Sequence, residues 1–328
     1  MTHLDAGTTF VRVRGRERRL RTVRVDGREV VVTGRLVRVA ALRDEWYADL
    51  EGVDRLAAAL RLARAGADVF TFPCRPPDGP DPAAHLRETE NCAAIELRGY
   101  DHWWTRQIGS KTRALVRKAE RAGVTLRVVP LDEVLLRGIQ EIYDESPVRQ
   151  GKPFWHYRRS LAELQRIHET FPDRSEFVGA YLGDELVGFV KLVYAGATAN
   201  TMHIIARLSR RELPVSNALI AKSVAVASAR GARLLVYDRF DYGGGSGDSL
   251  LQFKRHNGFE RLEYARCWVP LNARGRLALA LGLHRGLAAR LPPRVRRGLA
   301  ALRGRWYAVQ RRSRARGTSG GVVDGAPP

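Results

Sequence analysis

"FVGAYLGDELVGFVKLVY", residues 177–194, decides how the chain folds. Two runs rich in β-branched and aromatic residues, "EFVGAYL" (176–182) and "LVGFVKLVY" (186–194), flank Gly183-Asp184. That pattern predicts an antiparallel hairpin with a tight turn. A third strand, "ANTMHIIAR" (199–207), is expected next, then an Ala- and Val-rich helix over 216–230 that stops at Gly231. A strand "RLLVYD" (233–238), a short helix over 249–257 ending before Gly258, and a strand "CWVPL" (267–271) complete the series. Three antiparallel strands, a helix, a strand, a short helix and a strand predict an α+β layered domain, with a mixed, mainly antiparallel sheet flanked by helices.

On the N-terminal side of the hairpin, "HWWTRQIGSKTRALVRKAERAG" (102–123) has a helical period. Ser110 is expected to cap its main helix and Gly123 to end it. Leu115, Ala119 and Ala122 would form one face, while Arg113, Arg117 and Arg121 recur every fourth residue on another. "VTLRVV" (124–129) reads as a strand. Helices over 131–146 and 160–170 bracket the irregular "SPVRQGKPFWHY" (146–157). Nearer the start, "TFVRVRG" and "RTVRV" alternate apolar residues with Arg, and Asp26-Gly27 marks a hairpin. A helix over 50–65, a strand "DVFTF" and a proline-rich surface loop (73–82) follow. The expected organisation is a β-rich lobe (1–100), a basic linking helix (101–125), the main domain (126–270), a basic helical arm (271–316) and a disordered tail (317–328).

Composition narrows the class. Residues 11–43 hold eleven Arg against three acids, and residues 271–316 hold thirteen Arg and no acid. Together they account for the whole net charge of +21, so the body between them is close to neutral. Three cysteines, odd in number and with no CxxC pair, exclude a disulfide framework or a zinc ribbon and fit a reducing cytoplasm. Histidines and cysteines lack metal-ligand spacing, so no metal is expected. The first thirty residues lack the apolar run of a signal peptide. "LALALGL" (277–283) is far shorter than the ~20 residues of a membrane span. The expected location is cytoplasmic, with the arm holding the chain peripherally on the inner membrane face. Leucine spacing and Trp306-Tyr307 favour that anionic membrane surface. The same arginines also suit RNA, such as a tRNA; no DNA partner is expected.

Three stretches carry a family resemblance. "KTRALVRKAERAGV" (111–124), the hairpin 177–194 and "LLQFKRHNGFE" (250–260) together resemble the FemABX branch of the GNAT acyltransferase superfamily. The likeness covers roughly 100–271. It is weaker over 1–100, which it would make a degenerate GNAT-like half. It implies two lobes and transfer of an acyl or aminoacyl group to an amine, often on a cell-envelope or glycan precursor. The implied donor is acyl-CoA or aminoacyl-tRNA. Ordinary GNAT enzymes hold the CoA pyrophosphate on a glycine-rich loop that opens the helix after the third strand. Here that place reads "RRELPVSNALI" (210–220), with Pro214 and Ser216 instead of glycine, which points away from CoA. A reading from another class is a non-catalytic GNAT-like binding protein that recognises an envelope precursor or RNA through its basic arms.

The glycines at 243–247 fit neither G-x-G-x-x-G nor a Walker A loop, so they read as a hinge that lets Asp248 or Ser249 cap the short helix. Lys254, within that helix, is one of only six lysines beside fifty arginines. The resemblance implies that it lies near the reacting carbonyl, where a cation stabilises an oxyanion. His156 is the expected base and Asp238 the second choice. Lys191, mid-strand, should share a face with Val187, Phe189 and Val193 and line the site or pair structurally. Arg149, Gln150, Lys152, Trp155 and Tyr157 in the irregular loop are expected ligand contacts. Asn200, His203, Asn217, Tyr237 and Phe253 complete that group. Lys111, Arg113, Arg117 and Lys118 form a ridge suited to phosphates.

Overall fold

The computed structural model describes residues 5–285, except 14, 15, 26, 49, 63, 64, 78, 80–85, 150, 151 and 241–248. The glycine run and the arm beyond 285 therefore lie outside the described residues. The chain begins with strands β1 (Asp5–Val13), β2 (Arg16–Val25), β3 (Arg28–Thr33) and β4 (Val39–Leu42). Helix α1 (Val53–Leu62) leads into β5 (Val69–Cys74) and β6 (Leu86–Glu96). A short α2 (Tyr100–His102) widens into a π-turn over Trp103–Gln107 and is followed by α3 (Ser110–Arg121). Next come β7 (Val124–Val129), α4 (Glu133–Asp144), the two-residue pair β8 (Val148–Arg149) and β9 (Lys152–Pro153), and α5 (Leu161–His168). The hairpin is β10 (Ser175–Leu182) and β11 (Glu185–Ala195), followed by β12 (Thr198–Ala206) and α6 (Val215–Ala229). The last elements are β13 (Leu234–Val236), α7 (Ser249–His256), β14 (Glu260–Pro270) and α8 (Ala273–Ala280).

Among the described residues, twelve strands make one sheet in the order β1-β2-β3-β4-β5-β14-β6-β13-β12-β11-β10-β7. All neighbours run antiparallel except β4·β5 and β12·β13. Each parallel pair is joined by a crossover helix, α1 in one half and α6 in the other, because parallel neighbours cannot be linked by a tight turn. The sheet therefore repeats one arrangement twice, mirrored about the β14·β6 pair. At that midline the halves exchange strands: β6 pairs with β13 of the later half, and β14 pairs with β5 of the earlier one. The α+β expectation holds.

Several local expectations are corrected. Ser110 is the first residue of α3 and caps nothing; Gly109 is the cap position and no side chain bonds there. The buried face of α3 is Thr112, Val116 and Ala119, with Ala122 exposed. The last strand starts at Glu260, seven residues before the expected Cys267. Strand β6, at the centre of the sheet, has no clean alternation and was not expected at all.

The hairpin is buried on both faces, which explains its continuous apolar character. One core, built from α3, α6 and α7, holds Val187, Val190 and Leu192. A second, built from α4 and α5, holds Leu186 and Phe189. A bulge separates the pairs Ala180–Gly188 and Tyr181–Leu186. Val187 is thereby moved to the α6 side, and Lys191 keeps company with Phe189 but not with Val187. At Gly188 an added Cβ would lie 2.7 Å from Val215 Cγ1 and 3.0 Å from the Ile205 carbonyl. Gly188→Ala should therefore lower unfolding free energy by about 1–3 kcal/mol through overpacking, read from denaturant midpoints; an unchanged midpoint would show that α6 can withdraw freely.

Candidate functional site at the strand exchange

Strand pairing sets three residues in line across the midline of the sheet. Val236 pairs with Asn200 on one side and with Ala94 on the other. Cys92 lies two residues along from Ala94, on the same face. The loop after β4 and the proline-rich loop after β5 cover that face. They enclose a small cavity of about 70 Å³, lined among others by Leu50, Arg75, Cys92, Asn200 and Val236.

The polar atoms in this cavity are unevenly satisfied. Arg75 Nη1 donates to the Trp46 carbonyl at 2.6 Å, Nη2 donates to the Glu45 carbonyl, and the guanidinium lies 4.9 Å from the Trp46 ring. Its Nε is buried without a partner among the described residues. Asn200 is 3% exposed; its amide donates to the Val193 carbonyl at 3.3 Å, and its Oδ1 has no partner. One unmet donor and one unmet acceptor thus line the same cavity, a costly arrangement unless a ligand or water completes it. Burial raises the Cys92 thiol to about 11, with Arg75 and Lys254 pulling against it, so it is a neutral thiol near two cations.

Lys254 is fully buried. The turn of α7 aims its ammonium at the Arg239 carbonyl, which accepts a hydrogen bond, and at the face of Tyr237, 5.0 Å from the ring centre. Asp238, between those two residues, has a left-handed backbone with φ of 51°. Its carboxylate accepts from the Arg239 N–H at 2.6 Å. Tyr237 and Tyr47 are both pushed up to about 12, first by burial and then by the Asp238 charge. Lys254, Tyr237 and Asp238 therefore share one locality, and Tyr47 reaches it from the earlier half. Tyr47 also packs against Phe171, in the turn after α5, with ring centres 5.5 Å apart and planes tilted by 46°, so the loop after β4 bridges both halves.

Other expected site residues lie elsewhere. His156 and Lys191 are separated from Lys254 and sit in the α4–α5 core. Lys191 is fully buried, and its ammonium donates to the carbonyls of His168 (2.7 Å) and Thr170 (2.5 Å) and to the Thr170 hydroxyl (3.0 Å). Those acceptors use all three of its protons. Burial lowers it to about 8. His156 packs 4.5 Å from Tyr143 and 5.7 Å from His203, which lies 4.9 Å from His168. Burial depresses all three rings, to about 3 for His156, 2 for His168 and 4 for His203; each would also be repelled on charging, His156 by His203, His168 by His203 and Lys191, and His203 by Lys191.

Arg149 ties α4 to β12, donating to the carbonyls of Ile142 and Ala206 and pairing with Glu145 at 3.2 Å. Asn217 donates to Asn257 Oδ1 at 3.0 Å and so joins α6 to α7. Phe253 packs at the edge of the α6 core. Trp155 is 48% exposed and Tyr157 half-buried, while Gln150 and the Lys152 side chain lie outside the described residues. On the ridge, Lys111, Arg117 and Lys118 are exposed, whereas Arg113 is turned inward to the carbonyls of Trp104 and Ile108. Among the described residues no group of three or more His, Cys, Asp or Glu can hold a metal ion. Sequence reasoning missed Arg75, Cys92 and Tyr47; the proline-rich stretch around Arg75 reads as an ordinary surface loop.

The loop that opens α6 carries its own anion. The Glu145 carboxylate accepts from the N–H groups of Leu208 (2.5 Å) and Ser209 (3.2 Å) and from the Ser209 hydroxyl (2.6 Å). Burial opposes its ionisation, but these bonds outweigh it and hold its pKa low.

No family model matches the chain. Among solved structures it is similar to FemX, with a TM-score of 0.56 and 12% identity over 84% of this chain and 90% of that one. It is also similar to the C-terminal DUF2156 domain assigned to a lysylphosphatidylglycerol synthetase of Agrobacterium fabrum, with a TM-score of 0.49, 14% identity and coverage of 78% and 85%. A tandem GNAT protein from the clavulanic acid biosynthesis pathway gives 0.38 and 13%, covering 77% and 83%. The chain has the fold of FemX, and the FemABX-like resemblance holds at that level.

The buried histidines generate a pH prediction. Their folded pKa values lie below the unfolded value near 6.5, so below that pH the unfolded chain binds more protons and gains. Stability should be fully present at pH 7 and fall towards pH 5 by roughly 2 kcal/mol per ring. Denaturant midpoints measured at pH 7.5, 6 and 5 check this; a flat profile would mean that the rings are solvated.

Proposed function

We propose that the chain is an acyltransferase that moves an acyl or aminoacyl group to an amine in the cavity at the strand exchange. The observation that carries the reading is a fully buried ammonium, Lys254, set beside Tyr237 and Asp238. The amine attacks the donor carbonyl and forms a tetrahedral oxyanion. Lys254 stabilises that charge in a site of low dielectric. Asp238 takes the proton lost by the attacking amine. The intermediate then collapses, breaking the bond to the leaving thiolate or ribose oxygen, which is protonated as it departs. Arg75 Nε and Asn200 Oδ1 supply a donor and an acceptor that hold the amine substrate. His156 and Lys191 act as parts of the α4–α5 core rather than as reacting groups.

The repeated strand order supports reading residues 1–100 as a degenerate second GNAT-like half. Pro214 and Ser216, standing at the opening of α6 where ordinary GNAT enzymes have glycines, support aminoacyl-tRNA over acyl-CoA as donor. Lys111, Arg117 and Lys118 are the phosphate contacts under this reading. The arginines of 271–316 support peripheral attachment to an anionic membrane on the cytoplasmic side, near an envelope precursor.

Two outcomes test the reading. Wild-type protein should discharge aminoacyl-tRNA when offered an envelope-peptide amine, and Lys254→Met should slow this by about 10²-fold or more while leaving donor binding nearly intact. Asp238→Asn should do likewise, because asparagine tolerates the left-handed backbone. If the wild type consumes neither aminoacyl-tRNA nor acetyl-CoA, the protein binds without catalysing. Titration with acetyl-CoA should show no saturable binding; tight binding would overturn the donor assignment.

A further inference from the structure

Helix α8 is attached to the fold chiefly through small residues and leaves Leu277, and Leu281 at its end, exposed to solvent. Asn272 caps it, with Oδ1 accepting from the Gly275 N–H at 2.8 Å and Nδ2 donating to the Ala67 carbonyl at 3.1 Å. The Leu271 N–H donates to the Asp68 carbonyl at 2.9 Å. At Gly275 an added Cβ would stand 1.8 Å from that same carbonyl, so helix and body touch backbone to backbone. The buried face is Gly275 and Ala278.

The opposite face is apolar. At 100° per residue, Ala273, Leu277, Ala280 and Leu281 fall in one sector about 100° wide, with Arg274 and Arg276 on its two flanks. Leu277 is 60% exposed and Leu281 54%. A helix on a soluble surface usually buries such leucines and exposes its alanines. Two more leucines lie nearby. Leu36, whose carbonyl accepts from Arg274, is 65% exposed. Leu62 is 84% exposed and follows Arg61, whose Nε donates to the Pro270 carbonyl at 3.1 Å.

We infer that this face docks on an anionic lipid bilayer, with Leu277 and Leu281 entering the boundary between headgroups and acyl chains and Arg274 and Arg276 meeting phosphates. This inference rests on the reading of 271–316 as membrane-facing, and is independent of acyl transfer. Charge selects the occupant. Residues 286–316 carry ten arginines and no acid, so folding that segment back over Arg274 and Arg276 sets like charges together. A second copy of the same face is repelled for the same reason. An apolar stripe between arginines is the pattern of a helix lying in the plane of a membrane surface.

The test is co-sedimentation of the full chain with phosphatidylcholine vesicles, with and without phosphatidylglycerol, at low and high salt. The wild type should bind phosphatidylglycerol vesicles at least about tenfold better, and salt should weaken that binding. Leu277→Ser/Leu281→Ser, at exposed positions, should keep the thermal midpoint and donor discharge while losing about tenfold in vesicle binding. Unchanged vesicle binding by the double variant overturns the inference, because the arm beyond 285 then docks alone. Absence of wild-type binding, or a wild-type dimer that the double variant abolishes, overturns it as well.

Discussion

The antiparallel pairing of β6 with β14 is the constraint on which the rest depends. Nine residue pairs, from Glu260–Ala94 to Trp268–Leu86, join two strands that each complete the half of the sheet to which they do not belong in sequence. Separating the halves would expose both strands' ladders, so the two behave as one body. Ion pairs reinforce the seam: Arg266 meets Glu45 at 2.6 Å and Glu90 at 3.0 Å, and the Tyr264 hydroxyl donates to Glu90 at 3.0 Å. The exchange also brings Cys92, from early in the chain, within electrostatic reach of Lys254, from late in it.

Two buried lysines show how environment separates role from residue type. Lys191 has its three protons on three acceptors at the end of α5 and pins that helix to the sheet. Lys254 lies between a neutral carbonyl and an aromatic face, within electrostatic reach of the Cys92 thiol. A cation taken out of water is costly in either place. At Lys191 local structure meets that cost; at Lys254 an incoming oxyanion could share in meeting it. Glu145 makes a similar point about the turn before α6, where the N–H groups of Leu208 and Ser209 hold its carboxylate.

Much of the later half was legible in the sequence because its strands and helices have strong periods and clear stops, such as Gly183 in the hairpin turn and Gly123 after α3. Strand β6 escaped notice because its first half is largely exposed and polar while "CAAI" is buried throughout, so no alternation marks it. The face of Lys191 was half right: periodicity placed it with Phe189, but a bulge that no sequence rule announced removed Val187 from that face. The candidate site was only partly legible. Lys254 stood out by its segment and by the scarcity of lysine. Arg75 and Cys92 did not, because the contacts that give them meaning are made through the strand exchange. His156 stands out in the sequence as a near-neutral base in an aromatic loop, and the structure buries it among Tyr143, Phe154 and His203.

The central claim is that the cavity at the exchange is where the amine meets the donor. Filling it is the most direct measurement. In Cys92→Phe a ring replaces the thiol in a space of about 70 Å³. With circular dichroism confirming a folded variant, the account predicts that donor discharge to the amine is lost while donor binding persists. Full turnover by a folded Cys92→Phe variant would contradict it.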